Sequence, residues 1–177
     1  MDAPEFRENV VRSGDRPLTL VGPELKVGDK APPFQAVDGD FRPVDSSEFA
    51  GKALLIATVP SLDTSVCQEE TILFNKEAER LPDDAEVLVI SQDLPFAQTR
   101  FAAQEHITRV RILSDHVSRS FGYDWGVYID EMGLLARSLW VVDRQGKISW
   151  SQVVPELNDR PDIDGALAAL REAARRK

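Results

Sequence analysis

The sequence predicts an α/β fold in which a mixed central sheet is flanked by helices. Three observations lead to this prediction: two mostly apolar runs of strand length, helical patterns between and after them, and a hairpin pattern followed by a final helix. Strands that alternate with helices pair in parallel, and a terminal hairpin adds antiparallel strands. With 177 residues, 42% of them apolar and 29% charged, the chain has the size and composition of one globular domain, residues 1–177.

The N-terminal residues predict a β-hairpin extension over about residues 10–22. A turn sequence, Ser13-Gly14-Asp15, lies within this stretch and β-forming residues follow it. The prolines and glycines of residues 22–47 indicate a segment that wraps the surface. Ser46 or Ser47 could cap a short helical turn at its end.

The central parallel strands are predicted from two runs, residues 53–59 and 86–91. Between them, Pro60 ends the first strand, and apolar residues at three- and four-residue spacing predict a helix from Ser65 to Leu81. The elements expected after these are a helix over 95–106 with Phe96 and Phe101 facing inward, a strand over 110–113, a helix that ends at Gly122, a hairpin over 138–154 and a helix over 162–175.

The charge of the chain excludes several classes of partner. Its net charge is −9, whereas binding to nucleic acid or to an anionic membrane surface rests on a basic patch. No stretch approaches the roughly 20 apolar residues of a membrane span, and residues 1–15 lack the apolar segment of a signal peptide. We therefore expect neither nucleic acid nor membrane as a partner, and a cytoplasmic location.

Cys67 is the only cysteine of the chain, so no internal disulfide can form. One thiol and two histidines cannot build a thiolate zinc site, and we expect His106 and His116 to be surface residues. The sequence therefore implies no metal cofactor.

The junction after the first central strand places this thiol in the first turn of a helix. The positive end of the helix dipole and the unpaired backbone N–H groups there favour a thiolate. Thr64, three residues earlier, can face the same side, and Pro60 can wall off the sulfur. The same residues also fit a second interpretation, a buried and inert cysteine with Thr64 as a helix cap.

The pattern Pro-x-x-x-Thr-x-x-Cys after a buried strand resembles the active-site signature of peroxiredoxins. Longer runs resemble the thiol peroxidase subfamily: PSLDTSVC, VLVISQDLPFAQTRF, SDHVSRSFGYDWGV and GLLARSLWVVDRQGKISWSQVVPE. The lead-in LTLVGPELKVGDKAPPF and the ending PDIDGALAALREA continue the match, so the resemblance extends over about residues 10–174.

This resemblance implies a thioredoxin-like fold and the reduction of hydroperoxides without metal, haem or flavin. Cys67 would be the peroxidatic nucleophile, which becomes a sulfenic acid. Thr64 would hydrogen-bond the peroxide, Arg137 would be the active-site arginine, and Pro60 would shield the thiolate. The resemblance further implies a homodimer that is reduced by thioredoxin or another small thiol.

The sequence departs from this subfamily at Ala102, where relatives usually carry a resolving cysteine. Two explanations remain: a one-cysteine peroxidase whose sulfenic acid is reduced by an external thiol, or an engineered replacement. Because residues 103–106 also differ from the usual continuation, a natural variant is favoured. Two other functions stay open, a redox sensor with low turnover and a binding module with an inert cysteine.

Overall fold

The computed structural model describes residues 3–176 of the chain. Within that range the strands are β1 Phe6–Ser13, β2 Arg16–Val21, β3 Gln35–Val37, β4 Pro43–Asp45, β5 Ala53–Thr58, β6 Ala85–Ser91, β7 Arg111–Ser114, β8 Tyr128–Ile129, β9 Leu134–Leu135, β10 Ser138–Val142 and β11 Ile148–Val153. The α-helices are α1 Ser65–Ala78, α2 Pro95–Gln104, α3 Ser120–Asp124 and α4 Ile163–Arg175, and a 3-10 turn spans Ser46–Phe49. Across these residues, no helix is both long and apolar enough to cross a bilayer.

A seven-stranded mixed sheet forms the centre of the fold, with the strand order β11-β10-β5-β6-β7-β3-β4. Strands β5, β6 and β7 are parallel, as expected for strands joined through helices. Strands β10 and β11 extend the sheet as an antiparallel hairpin beside β5. The predicted α/β architecture with a mixed central sheet is confirmed.

The N-terminal hairpin of β1 and β2 belongs to a second, four-stranded sheet. Strand β2 pairs with β8, which in turn pairs with β9. The hairpin begins at Phe6, four residues before the expected start. Strands β8 and β9 have two residues each, which is too short for a periodic pattern to reveal them.

Two apolar clusters lie on opposite faces of the large sheet, because neighbouring side chains of a strand alternate between faces. Leu55 and Ala57 of β5 contribute to the cluster that contains residues of α1, α2 and α4. Leu54 and Ile56 contribute to the other, which contains the N-terminal hairpin and α3. Cys67 belongs to the first cluster, so the sheet separates it from the second.

The inner face of α2 differs from the prediction. Phe96 is 71% exposed, whereas Phe101 is buried as expected. The inner position is taken instead by Gln98, which donates to Ser91 Oγ and to the carbonyl of Leu113. The two hydrogen bonds of its amide nitrogen offset part of the cost of burying this polar side chain.

A predicted helix cap and a predicted helix end were also wrong. Asp45, not Ser46 or Ser47, caps the 3-10 turn by accepting the N–H of Ser47. Helix α3 begins at Ser120 and contains Gly122 instead of ending there. Asp115 still acts on this helix, because its carboxylate accepts two backbone N–H groups of the first turn.

Candidate active site at the start of helix α1

Strand β5 and helix α1 carry the junction that the sequence analysis singled out. Pro60 is buried just after the strand. Cys67 is the third residue of α1 and has a relative exposure of 0%. The thiol therefore lies in the first helical turn, where the dipole and the unpaired N–H groups favour negative charge.

Arg137 contacts the sulfur directly. Its Nη1 lies 3.2 Å from Cys67 Sγ, and its side chain is about 2% exposed. Its Nε donates to the carbonyl of Leu157 at 3.0 Å. Within residues 3–176, Nη2 of Arg137 makes no hydrogen bond, so its N–H groups remain available to donate to a further oxygen.

The backbone around Arg137 is fixed on both sides. Its carbonyl accepts the N–H of Val154 at 2.9 Å. The preceding carbonyl, of Ala136, accepts the hydroxyl of Thr58 at 2.7 Å. Thr58 is the last residue of β5, so the strand that leads to the Cys67 junction also holds the segment that carries Arg137.

Glu70 completes a buried charged cluster. It lies three residues after Cys67, on the same face of α1, and its Oε2 is 3.2 Å from Arg137 Nη1. Burial raises the pKa of Glu70 to about 7, although the guanidinium of Arg137 acts in the opposite direction. Glu70 was not among the predicted site residues, although its three-residue spacing from Cys67 was a signal for a shared helix face.

Asp93 holds the loop before α1, and the sequence analysis missed this residue too. Its carboxylate accepts the N–H of Leu62 and the hydroxyls of Ser61 and Ser91, each at 2.8 Å. The loop is thereby tied to the end of β6. No periodic pattern could have predicted this, because Ser61 and Leu62 are 32 and 31 residues from Asp93 in sequence.

Thr64 is placed differently from Arg137. It is exposed and directly precedes α1, and its hydroxyl donates to the carbonyl of Ser61 at 3.0 Å. The oxygen of this hydroxyl can still accept a hydrogen bond. The structure thus brings Arg137 and Cys67 into contact and leaves the Thr64 side chain at the protein surface.

The histidines lie apart from this cluster. His106 is exposed, and Nδ1 of the half-buried His116 is 2.8 Å from the hydroxyl of Ser114. Across residues 3–176 no three Cys, His, Asp or Glu side chains gather as metal ligands. The cluster at α1 therefore offers a thiol, a guanidinium and a carboxyl group for chemistry.

The raised pKa of Glu70 predicts a pH-dependent stability. Between its usual pKa of 4.5 and about 7 the folded protein binds more protons at this carboxyl than the unfolded chain. The free energy of unfolding therefore falls as the pH rises through this window, and the full destabilisation is present above it. We expect Glu70→Gln to remove that part of the pH dependence, of the order of 2–3 kcal/mol between pH 5 and pH 8.

Denaturant unfolding of both proteins at several pH values measures this difference. Burial also raises the pKa of Asp115, to about 6, so the parent protein carries a second contribution of the same sign. The difference between parent and variant isolates Glu70, because Asp115 is present in both. Equal slopes of stability against pH in the two proteins would contradict the prediction.

Comparisons with known proteins match most of the chain. A family model described as Redoxin matches residues 26–167. A thiol peroxidase of Listeria innocua is 48% identical over 157 residues, which cover 89% of this chain and 94% of that protein. One from Oceanobacillus iheyensis is 43% identical over 164 residues, covering 93% and 99%.

Solved structures of peroxiredoxins also resemble this chain over most of its length. A peroxiredoxin-like protein from Aquifex aeolicus superposes with a TM-score of 0.87 at 37% identity, and the match covers 96% of this chain and 99% of that one. A thiol peroxidase from Chromobacterium violaceum reaches 0.76 at 25% identity, with coverage of 92% and 95%.

Proposed function

This chain belongs to the Redoxin family and is a thiol peroxidase of the peroxiredoxin type, and on that premise we propose that Cys67 is its peroxidatic residue. The proposed substrates are hydrogen peroxide and organic hydroperoxides. The observation that carries the proposal is the 3.2 Å contact between Arg137 Nη1 and Cys67 Sγ in the first turn of α1. A buried guanidinium beside a thiol stabilises the anionic form that attacks peroxides.

The proposed reaction is a two-electron transfer from sulfur to peroxide. The Cys67 thiolate attacks one peroxide oxygen, the O–O bond breaks, and an S–O bond forms to give a sulfenic acid. The leaving oxygen departs as alkoxide or hydroxide and takes up a proton to become an alcohol or water. Nη2 of Arg137 supplies hydrogen-bond donors for the charge that grows on that oxygen.

Thr64 and Pro60 have supporting roles in this proposal, in which the buried Pro60 shields the Cys67 thiolate from water. The Thr64 hydroxyl donates to Ser61, so its oxygen is free to accept the peroxide proton and orient the substrate. Because Cys67 is fully shielded, a peroxide reaches it through a small local displacement of neighbouring side chains that leaves the contact between Cys67 and Arg137 in place.

The second half of the cycle requires an external thiol. Cys67 is the only cysteine and Ala102 occupies the expected resolving position, so no internal disulfide can form. We propose that thioredoxin or another small thiol attacks the sulfenic acid, releases water and forms a mixed disulfide, which a second thiol then reduces. The whole chain acts as a single peroxiredoxin domain in this proposal, and a homodimer is the expected assembly.

Treatment with hydrogen peroxide tests the proposal by intact mass. We expect the chain to gain one oxygen at Cys67, and a second one as peroxide increases, because no resolving thiol removes the sulfenic acid. A sulfenic-acid trap added with the peroxide should label Cys67 and block the second oxygen. Ala102→Cys is the matched variant, in which an internal disulfide should reduce over-oxidation severalfold. A mass unchanged by peroxide would contradict the proposal.

The complete burial of Cys67 also favours a second candidate function, a redox sensor with low peroxidase turnover. A shielded sulfenic acid is reduced slowly by a bulky reductant. It therefore persists long enough to react with a partner protein. Steady-state peroxide consumption with thioredoxin as reductant separates the two. Multiple turnovers per second support the peroxidase, whereas oxidation of Cys67 without turnover supports the sensor.

A further inference from the structure

A mostly apolar cleft lies on the face of the large sheet that is opposite Cys67. Its volume is about 510 Å³, within the range of small-molecule sites, about 300–1,000 Å³. Its apolar walls come from five segments of the chain: Phe34, Phe49, Leu54 and Ile56, Trp125, and Val142. We refer to the space among these six residues as the Trp125 cleft. The proposed peroxidase chemistry makes no use of it.

The indole nitrogen of Trp125 lacks a hydrogen-bond partner. Its side chain is 1% exposed, and no acceptor among residues 3–176 lies within reach of Nε1. Trp140, its neighbour at a centroid distance of 5.4 Å, instead donates to Ser138 Oγ at 2.8 Å. Buried donors nearly always have an acceptor in folded proteins. A ligand in the cleft that carries an acceptor atom would satisfy this donor.

The rim of the Trp125 cleft is electrically balanced. Lys30, Lys52, Asp45 and Asp143 lie there, two of each sign. Both carboxylates already accept backbone N–H groups, and Lys52 pairs with Glu86 at 2.7 Å. Because burying an unpaired charge is costly, this rim favours an uncharged occupant over an ionic one.

We propose that the Trp125 cleft binds a small uncharged molecule with an aromatic body and one oxygen acceptor, such as a ketone or an ester. The oxygen accepts the N–H of Trp125, and the body of the ligand packs against the aromatic walls, in particular Phe34 and Phe49. Phe121 stacks on the indole at 4.6 Å, which keeps the ring from turning over. Because Nε1 and the Phe34 and Phe49 rings are shielded from solvent, binding includes a small displacement of these side chains that widens the cleft.

Two probes that differ only in the acceptor test this proposal with the full-length chain. Acetophenone carries a carbonyl, whereas ethylbenzene has nearly the same shape without one. In ¹⁵N-labelled protein, acetophenone should shift the Trp125 indole proton downfield in a saturable way. The Trp140 signal, whose proton is already bound by Ser138, should stay in place. Ethylbenzene should bind about three- to tenfold more weakly, the effect of one hydrogen bond, and cause no downfield shift.

Two variants complete the experiment. Trp125→Phe keeps an aromatic wall and removes the donor, so the acetophenone affinity should fall to that of ethylbenzene. Ala50→Phe adds bulk at an exposed position of the rim and should weaken both probes. Oxidation of Cys67 by peroxide should be unchanged in both variants, so failure of the cleft proposal leaves the peroxidase proposal standing.

Any of three outcomes overturns the proposal. The first is the absence of saturable binding at acetophenone concentrations up to about 10 mM, because a built site should have a dissociation constant below that value. The second is an equal shift of all three indole signals, which indicates non-specific binding. The third is an acetophenone affinity that Trp125→Phe does not lower.

Discussion

Cys67→Ser is expected to lower peroxide reduction by more than about 10³-fold, to the level of the uncatalysed reaction, because a serine hydroxyl is not ionised beside Arg137 as a thiol can be. Serine is close to cysteine in size, and Arg137 Nη1, 3.2 Å from the sulfur, can donate to its oxygen. We therefore expect the free energy of unfolding to change by no more than about 1–2 kcal/mol. The loss of activity would then not follow from unfolding.

Stopped-flow tryptophan fluorescence measures this prediction. Trp125, Trp140 and Trp150 are the available reporters, and the parent protein should show an oxidation phase whose rate rises linearly with hydrogen peroxide. That phase should be absent from Cys67→Ser, while the thermal or denaturant midpoint stays close to that of the parent. A variant that keeps the phase would show that the reporters respond to oxidation elsewhere, and Cys67 would lose its proposed role.

The sequence predicted the position of the reactive thiol because that position depends on local information. A buried strand, a proline and a helical pattern follow one another within about 30 residues, and they place Cys67 in a first helical turn. Arg137 is 70 residues away in sequence, and only the family resemblance identified it. Its contact with Cys67 depends on the pairing of β5 with β10, which no periodicity encodes.

Glu70 illustrates the limit of such local reasoning. An acidic residue early in a helix is normally explained by the helix dipole. In the structure Glu70 is 2% exposed and lies against a buried arginine, because α1 packs on the sheet along that face. Whether an early glutamate faces solvent or the core depends on which helix face the sheet covers, and that is a tertiary property.

Helix α2 shows the same limit of local sequence patterns for a hydrophobic residue. Phe96 and Gln98 are two positions apart and therefore lie on different helix faces. The ring of Phe96 was predicted to face the interior. Gln98 occupies that position instead, because its two hydrogen bonds are available only there. Phe96 instead packs against the exposed Phe41 at a centroid distance of 5.2 Å.

Arg137→Met is expected to have the second-largest effect, a fall of about 10²–10³-fold in the rate constant for oxidation of Cys67 by peroxide. The variant loses the donors for the leaving oxygen and the positive charge beside the thiolate. It also leaves Glu70 buried without its partner, so the free energy of unfolding at pH 8 should fall by about 3–5 kcal/mol. Activity alone therefore cannot distinguish a catalytic arginine from a structural one.

The double variant Arg137→Met with Glu70→Leu separates the two roles. It removes both buried charges, and apolar pairs of similar volume are often as stable as the ion pair that they replace. We expect most of the lost stability to return while the oxidation rate stays at the level of Arg137→Met. Arg160→Gln is the matched control, because Arg160 pairs with Glu69, which lies on α1 like Glu70, but the Arg160 side chain is 73% exposed. Its effect on stability and rate should be small, since exposed pairs contribute about 0–1 kcal/mol.

The outcome of this comparison decides what the buried cluster is for. If the double variant regains both stability and rate, Arg137 serves the fold, and the thiolate needs only the helix terminus. If the rate remains low in a protein of normal stability, the guanidinium acts on the reacting atoms. We expect the second result, because Nη1 is as close to Sγ as to the Glu70 carboxylate, 3.2 Å in each case. A guanidinium that served only the ion pair would have no need to contact the sulfur.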